Sequence, residues 1–215
     1  MSAHTALKVE LIDFSSVQIV DAGIPQEIVT ISEADGFFLN TKFTSDFRIR
    51  KTVYDMMKAA QNSLPENYHF MIYEAYRPLA RQVELWNMAT AYIETEYPDA
   101  SPQQKRDMTE TFVADPYNGI GSGHQACCAI DISLCDGNGR EYDMGTACQE
   151  ISSLSNTVCE GLSAEAQKNR AILVGALEGA GLINYSSEWW HFSYGDHQWA
   201  YITGRSEAFF GPLDI

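Results

Sequence analysis

The sequence predicts an α+β fold, a small antiparallel or mixed sheet flanked by about four helices. Three observations predict it. Three stretches carry apolar residues at helical spacing and a fourth opens on a capping box, and four short apolar or aromatic runs read as strands. No regular strand–helix–strand alternation joins them, which argues against a doubly wound parallel sheet.

Residues 1–45 read as extended and loop structure, with breakers at Gly23-Ile24-Pro25 and Asp35-Gly36. The first helix is expected over 47–62, where Ile49, Val53, Met56, Met57 and Ala60 form one stripe and Ser63, Pro65 and Asn67 close it. His69–Ala75 is a short, nearly continuous apolar run and reads as a buried strand. A second helix follows from Pro78, with Leu79, Val83, Trp86, Ala89 and Ile93 at helical spacing. The third starts at Ser101-Pro102-Gln103-Gln104, a capping-box form with proline at the first helical position.

Residues 115–123 are turn-formers throughout, and 126–134 reads as a strand ending in the hairpin signal Asp136-Gly137-Asn138-Gly139. The fourth helix runs over about 163–180, with Leu162, Ala166, Leu173, Leu177 and Ala180 on one face and Gly181 as its stop. Residues 188–194 and 198–202 read as short aromatic strands on either side of Gly195-Asp196.

Size and composition set the limits. A chain of 24.0 kDa folds to a surface of roughly 9,900 Å² from roughly 35,000 Å² when extended, enough burial for a core without disulfides. One domain over 1–215 is the default, with 1–35 as an extended N-terminal segment. The formal charge of -15 repels phosphate backbones and anionic lipid, so neither nucleic acid nor a membrane surface is an expected partner. The N-terminal stretch carries Lys8, Glu10 and Asp13 where a secretory signal needs apolar residues. The five cysteines (127, 128, 135, 148 and 159) include no C-x-x-C pair and read as reduced thiols of a cytoplasmic protein.

Five histidines narrow the chemistry. His4, His69 and His197 read as surface or packing residues. His124 follows a glycine-rich turn and precedes Asp131 by seven residues; His191 closes Glu188-Trp189-Trp190-His191. Two imidazoles and a carboxylate make a common catalytic zinc shell that leaves one position open. Hydrolysis also needs a base that does not bind the metal, and Glu188 suits it provided the backbone is irregular between Glu188 and His191. On a regular strand, residues three apart face opposite ways.

The pattern Ser122-x-His124, Ala129-x-Asp131, with Glu-Trp-Trp-His downstream, resembles the zinc D-alanyl-D-alanine dipeptidases, the VanX-type enzymes. These belong with D,D-carboxypeptidases, lysostaphin-like peptidases and the hedgehog domain. Glu74-Ala75-Tyr76-Arg77-Pro78 resembles the D-G-Y-R-P segment of the same family, and Met144-Gly145-Thr146 another of its segments. The resemblance implies one Zn²⁺ on His124, Asp131 and His191, Glu188 as general base and Arg77 as partner of the developing oxyanion. It implies substrate contacts from Ser122 and Trp189, and a short D-amino-acid peptide as substrate.

Two positions depart from the family pattern. Cys127 stands where the family has glycine, which strains the backbone if φ is positive there. Gln149 stands where the dipeptidases hold the substrate ammonium with an aspartate, and the adjacent Glu150 is expected to take that role. The competing readings are a D,D- or L,D-carboxypeptidase on peptidoglycan stem peptides and a non-catalytic zinc-stabilised binding domain. The second of these has no use for Glu188 or Arg77.

Overall fold

The computed structural model describes residues 16–20, 23–24, 26–150, 152 and 154–215. The extended reading of 1–15, His4 and the Pro25 breaker lie outside them. In chain order the strands are β1 (Gln18–Ile19), β2 (Ile28–Thr30), β3 (Phe38–Leu39), β4 (Arg48–Arg50), β5 (His69–Glu74), β6 (Ala129–Cys135), β7 (Ile183–Tyr185), β8 (Glu188–Ser193) and β9 (Glu207–Ala208). The helices are α1 (Lys51–Ser63), α2 (Leu79–Glu96), α3 (Pro102–Glu110), α4 (Ala164–Gly179) and α5 (His197–Ile202). The fold is α+β, as its sequence pattern predicts. None of these helices is long and apolar enough to cross a membrane.

The central sheet has the order β3-β5-β6-β8-β7. It is mixed, because β3 pairs with β5 in parallel and the other neighbours are antiparallel. Alternation along β6 divides its two faces. Ile130, Ile132 and Leu134 are fully buried with Val53 and Met57 of α1 and Leu173 and Leu177 of α4. Asp131 points the other way, towards the site. The apolar face thus anchors the strand, and the polar face is free to carry chemistry.

Three elements differ from expectation. The first helix begins at Lys51, because Arg48–Arg50 pair with Ile28–Thr30; Ile49 fits the helical stripe but is buried from a strand. Strand β6 starts at Ala129, because 123–127 form the turn that presents His124. Residues 198–202 belong to a fifth helix, not a strand. Asp196 is its N-cap, accepting from Trp199 N at 2.8 Å. A cap of this kind contributes about 1 kcal/mol, which outweighs the weak strand preference of a six-residue aromatic run.

The other signals correspond to what is observed. Ser101 and Gln104 form the reciprocal capping box of α3. Asp136 Oδ1 accepts from Asn138 N and Arg140 N, closing the turn that brings Cys135 opposite Glu141. All five cysteines are free thiols, and four are buried.

Candidate active site

Three neighbouring strands bring the site together. Glu74 on β5 lies opposite Asp131 on β6, and Asp131 lies opposite His191 on β8. Neither alignment is regular. Ile72 pairs with Ile132, so unbroken register would set Tyr73 opposite Asp131; an irregularity between Ile72 and Glu74 puts Glu74 there instead. On the other side the β7–β8 register jumps, from Asn184 opposite Phe192 to Tyr185 opposite Glu188. The Asn184 amide donates to the carbonyls of both Glu188 and His191, at 3.1 and 3.0 Å, and so satisfies the interrupted backbone. That interruption brings Glu188 to the same side as His191, with Oε2 4.0 Å from Nδ1.

His124 arrives from the turn before β6. Ser122 starts this turn, its Oγ accepting from Gln125 N and its carbonyl from Ala126 N. Gly123 is required by close approach: a Cβ there would clash with Asp196 Oδ2 and stand 2.8 Å from Ala129 Cβ. Cys127 has φ +54°, the left-handed conformation in which a side chain is strained.

His124 Nδ1 donates to Ala75 O at 2.8 Å, which leaves the Nε2 lone pair directed at the site. Nε2 lies 3.2 Å from His191 Nδ1 and 3.3 Å from Asp131 Oδ1, and the latter pair are 3.1 Å apart. Ligand atoms held tetrahedrally by Zn²⁺ at about 2.0–2.1 Å lie about 3.3 Å from one another. The buried donor set His124, Asp131 and His191 therefore fits Zn²⁺.

Charge is organised around this triangle. Burial alone raises the Asp131 pKa, but His124 and His191 outweigh it and hold the carboxyl well below its usual range. Burial likewise pulls His191 down, while the bond and charge of Asp131 prevail and raise it. Glu188 is different: burial pushes it up to about 7, with Asp131 and Glu74 adding to the rise and His191 and Arg77 opposing it.

Arg77 follows β5. Its Nε and one terminal nitrogen grip both oxygens of Glu74, and its other terminal nitrogen donates to Gln82 Oε1 at 3.0 Å. The Glu74-facing nitrogen also lies 3.7 Å from Asp131 Oδ2. The guanidinium is thus fixed beside the metal-ligand set with donor capacity left over.

A cavity of about 370 Å³ holds Arg77, Ser122, His124, Asp131, Glu188 and His191 in its wall. The wall also includes the apolar side chains of Leu85, Phe112, Val113 and Ile120.

Two expected substrate contacts are placed elsewhere. Trp189 is fully buried, its Nε1 donating to Thr146 Oγ1 at 2.8 Å under the guanidinium of Arg170, and Trp190 lines the cavity instead. On a regular strand Trp189 would share the face of His191; the irregularity between Glu188 and His191 breaks that alternation and brings Trp190 to the cavity instead. Glu150 is exposed, with its carboxylate accepting from Ala147 N. Gln149 lines the cavity in its place. His197, read as a surface or packing residue, also lines the cavity, from the first position of α5. The participation of Glu74 was open to inference, since its carboxylate ends a strand three residues before Arg77.

The chain matches the family described as D-ala-D-ala dipeptidase, of the M15 peptidases, over residues 48–207. A D-alanyl-D-alanine dipeptidase of Escherichia coli K12 is 35% identical over 122 residues, a match spanning 57% of this chain and 53% of the relative. One from Synechocystis is 28% identical over 182 residues, 73% of each chain. Among solved structures, the zinc-bound D,D-pentapeptidase VanY superposes with a TM-score of 0.46 at 17% identity, covering 90% of this chain and 96% of that one. With about three quarters of its length matched, and the motif residues assembled around one cavity, the chain belongs to the D-Ala-D-Ala dipeptidase family of M15 metallopeptidases.

Proposed function

We propose that this chain hydrolyses the peptide bond of D-alanyl-D-alanine or a similar short D-amino-acid peptide, with Zn²⁺ as its cofactor. The observation that carries the reading is the convergence of three metal-ligand atoms, a separate carboxylate and a fixed guanidinium in one cavity. Zn²⁺ on His124, Asp131 and His191 supplies Lewis acidity, which makes water a better nucleophile near neutral pH and polarises a carbonyl.

The remaining work belongs to the chain's own residues. Glu188 takes a proton from the attacking water as the new carbon–oxygen bond forms. It then delivers that proton to the leaving nitrogen as the carbon–nitrogen bond breaks. A carboxyl poised near neutrality suits both transfers. Arg77 presents fixed positive charge to the carbonyl oxygen as it becomes anionic, with no reorganisation cost because Glu74 and Gln82 already hold it. Ser122 and Trp190 face the substrate from the cavity wall. A volume of about 370 Å³ suits a dipeptide-sized ligand, towards the small end of ordinary ligand pockets.

Purified protein should release D-alanine from D-alanyl-D-alanine, lose the activity on chelation and regain it with Zn²⁺. Absence of turnover on D,D-dipeptides, with turnover of L,L-dipeptides under the same conditions, would overturn the substrate assignment.

A further inference from the structure

We infer that Gln149 is a positioning residue for the metal ligand Asp131, holding the carboxylate oxygen that the metal does not use and separating that carboxylate from Glu74. The inference rests on the reading of His124, Asp131 and His191 as the Zn²⁺ ligands.

Asp131 divides its two oxygens. Oδ1 faces both imidazoles, at 3.3 Å from His124 Nε2 and 3.1 Å from His191 Nδ1. Oδ2 faces away from them and accepts from Gln149 Nε2 at 2.6 Å. The same nitrogen donates to Glu74 Oε2 at 2.8 Å. An amide nitrogen has two hydrogens, and ionised carboxylates only accept, so these partners settle which end of the amide points inward.

The arrangement answers an electrostatic problem. Glu74 and Asp131 are both 2% exposed and lie opposite one another on adjacent strands. Arg77 contacts both, but one guanidinium faces two carboxylates. The Gln149 amide adds one donor to each without adding charge, which favours two ionised groups side by side in a poorly hydrated setting. It also leaves Asp131 with one oxygen tied and one presented, which restricts how the carboxylate can turn.

The backbone bears this out. Gln149 has φ +63°, a left-handed conformation that costs energy in any residue but glycine. Strain of this kind persists where surrounding contacts over-determine it, and both contacts of the Gln149 amide are to buried carboxylates beside the metal ligands.

Partners of metal ligands typically govern 10–100-fold in metal affinity. The test is Zn²⁺ affinity, measured by competition with a chromogenic chelator, for the unmodified protein, Gln149→Met, Gln149→Ala and His191→Ala. Methionine keeps the volume and flexibility of glutamine but has no donor. A positioning role predicts that Gln149→Met and Gln149→Ala both bind Zn²⁺ about 10–100-fold more weakly, while the metal-free Gln149→Met protein melts as a folded chain. A role in packing alone predicts that methionine restores what alanine loses; Zn²⁺ affinity in Gln149→Met within twofold of the unmodified protein overturns the proposal. If Gln149→Met does not fold, Gln149→Asn is judged by the same criterion, since its amide is one methylene too short to bridge both carboxylates. Unchanged affinity in His191→Ala would instead overturn the metal-ligand reading, and the two failures are thereby told apart.

Discussion

At the scale of single residues, the proposed mechanism separates the groups assigned to a cation from the groups assigned to move or face charge. Glu188 is the clearest case. It stands 4.0 Å from His191 but outside the ligand triangle, and burial lifts its pKa to about 7. Glu188→Gln keeps the size and removes the proton acceptor. Zinc content should therefore stay at one per chain while kcat falls about 10²–10⁴-fold, the range of a lost general base. Metal analysis beside steady-state kinetics checks both halves, and an unchanged kcat would remove Glu188 from the mechanism. Arg77 is gripped at three of its nitrogens, a geometry no ammonium reproduces. Arg77→Lys should lower kcat about 10²–10³-fold, as for loss of an oxyanion donor. If the change fell on KM alone, Arg77 would be a binding group only. These residues are legible in the sequence because their chemistry is scarce: five histidines, two E-x-x-H patterns of which only Glu188–His191 follows the His124/Asp131 pair, and a single arginine in the turn directly before the second helix. The directions of Glu150 and Trp189 are not legible there, because adjacency in sequence says nothing of direction, and a one-residue step turns a side chain from the cavity to solvent or core.

At the scale of elements, short polar signals proved sharper than apolar patterns. The Ser101–Gln104 capping box and the Asp136–Gly139 turn stand where the sequence puts them, because each is closed by local hydrogen bonds. The start of the first helix, the start of β6 and the helical state of α5 are not encoded in the apolar pattern, because apolar residues pack equally well from a strand, a turn or a helix. The turn from Ser122 to Cys128 shows what such an element contributes. It has the backbone of a glycine at position 127 but carries a buried cysteine there. Cys127→Gly relieves the left-handed strain and loses the thiol packing; Cys127→Ala loses the packing and keeps the strain. The relief of strain is partly offset by the lost Cβ and the freer unfolded chain of glycine, so the glycine variant should be the more stable by up to about 1 kcal/mol. Denaturant unfolding of the pair measures it. Equal stability would mean that the turn relaxes out of the left-handed conformation in the alanine variant.

At the scale of the whole molecule, the site joins segments that are far apart in sequence: Glu74–Arg77, Ser122–Asp131, Gln149 and Glu188–His191. The sequence motifs name most of these segments, but not the two register irregularities that align them. An irregularity is a property of two strands together, and neither strand's own pattern records it. A cation bound by the turn, β6 and β8 at once ties these elements together only in the folded chain, so its binding energy adds to folding stability. With free Zn²⁺ at about 100 times Kd, the gain is about 2.7 kcal/mol. For a domain of this size each kcal/mol moves the melting temperature by about 2–4 °C, so chelation should lower Tm by roughly 5–11 °C. Re-addition of Zn²⁺ should restore it. The same chelator should leave the Tm of His191→Ala nearly unchanged, because that variant retains only two of the three ligands. A matching fall in the variant would locate the stabilising metal outside the candidate site. An unmoved Tm in the unmodified protein would mean that His124, Asp131 and His191 are held in place by hydrogen bonds and packing alone, with the metal a guest in a finished fold.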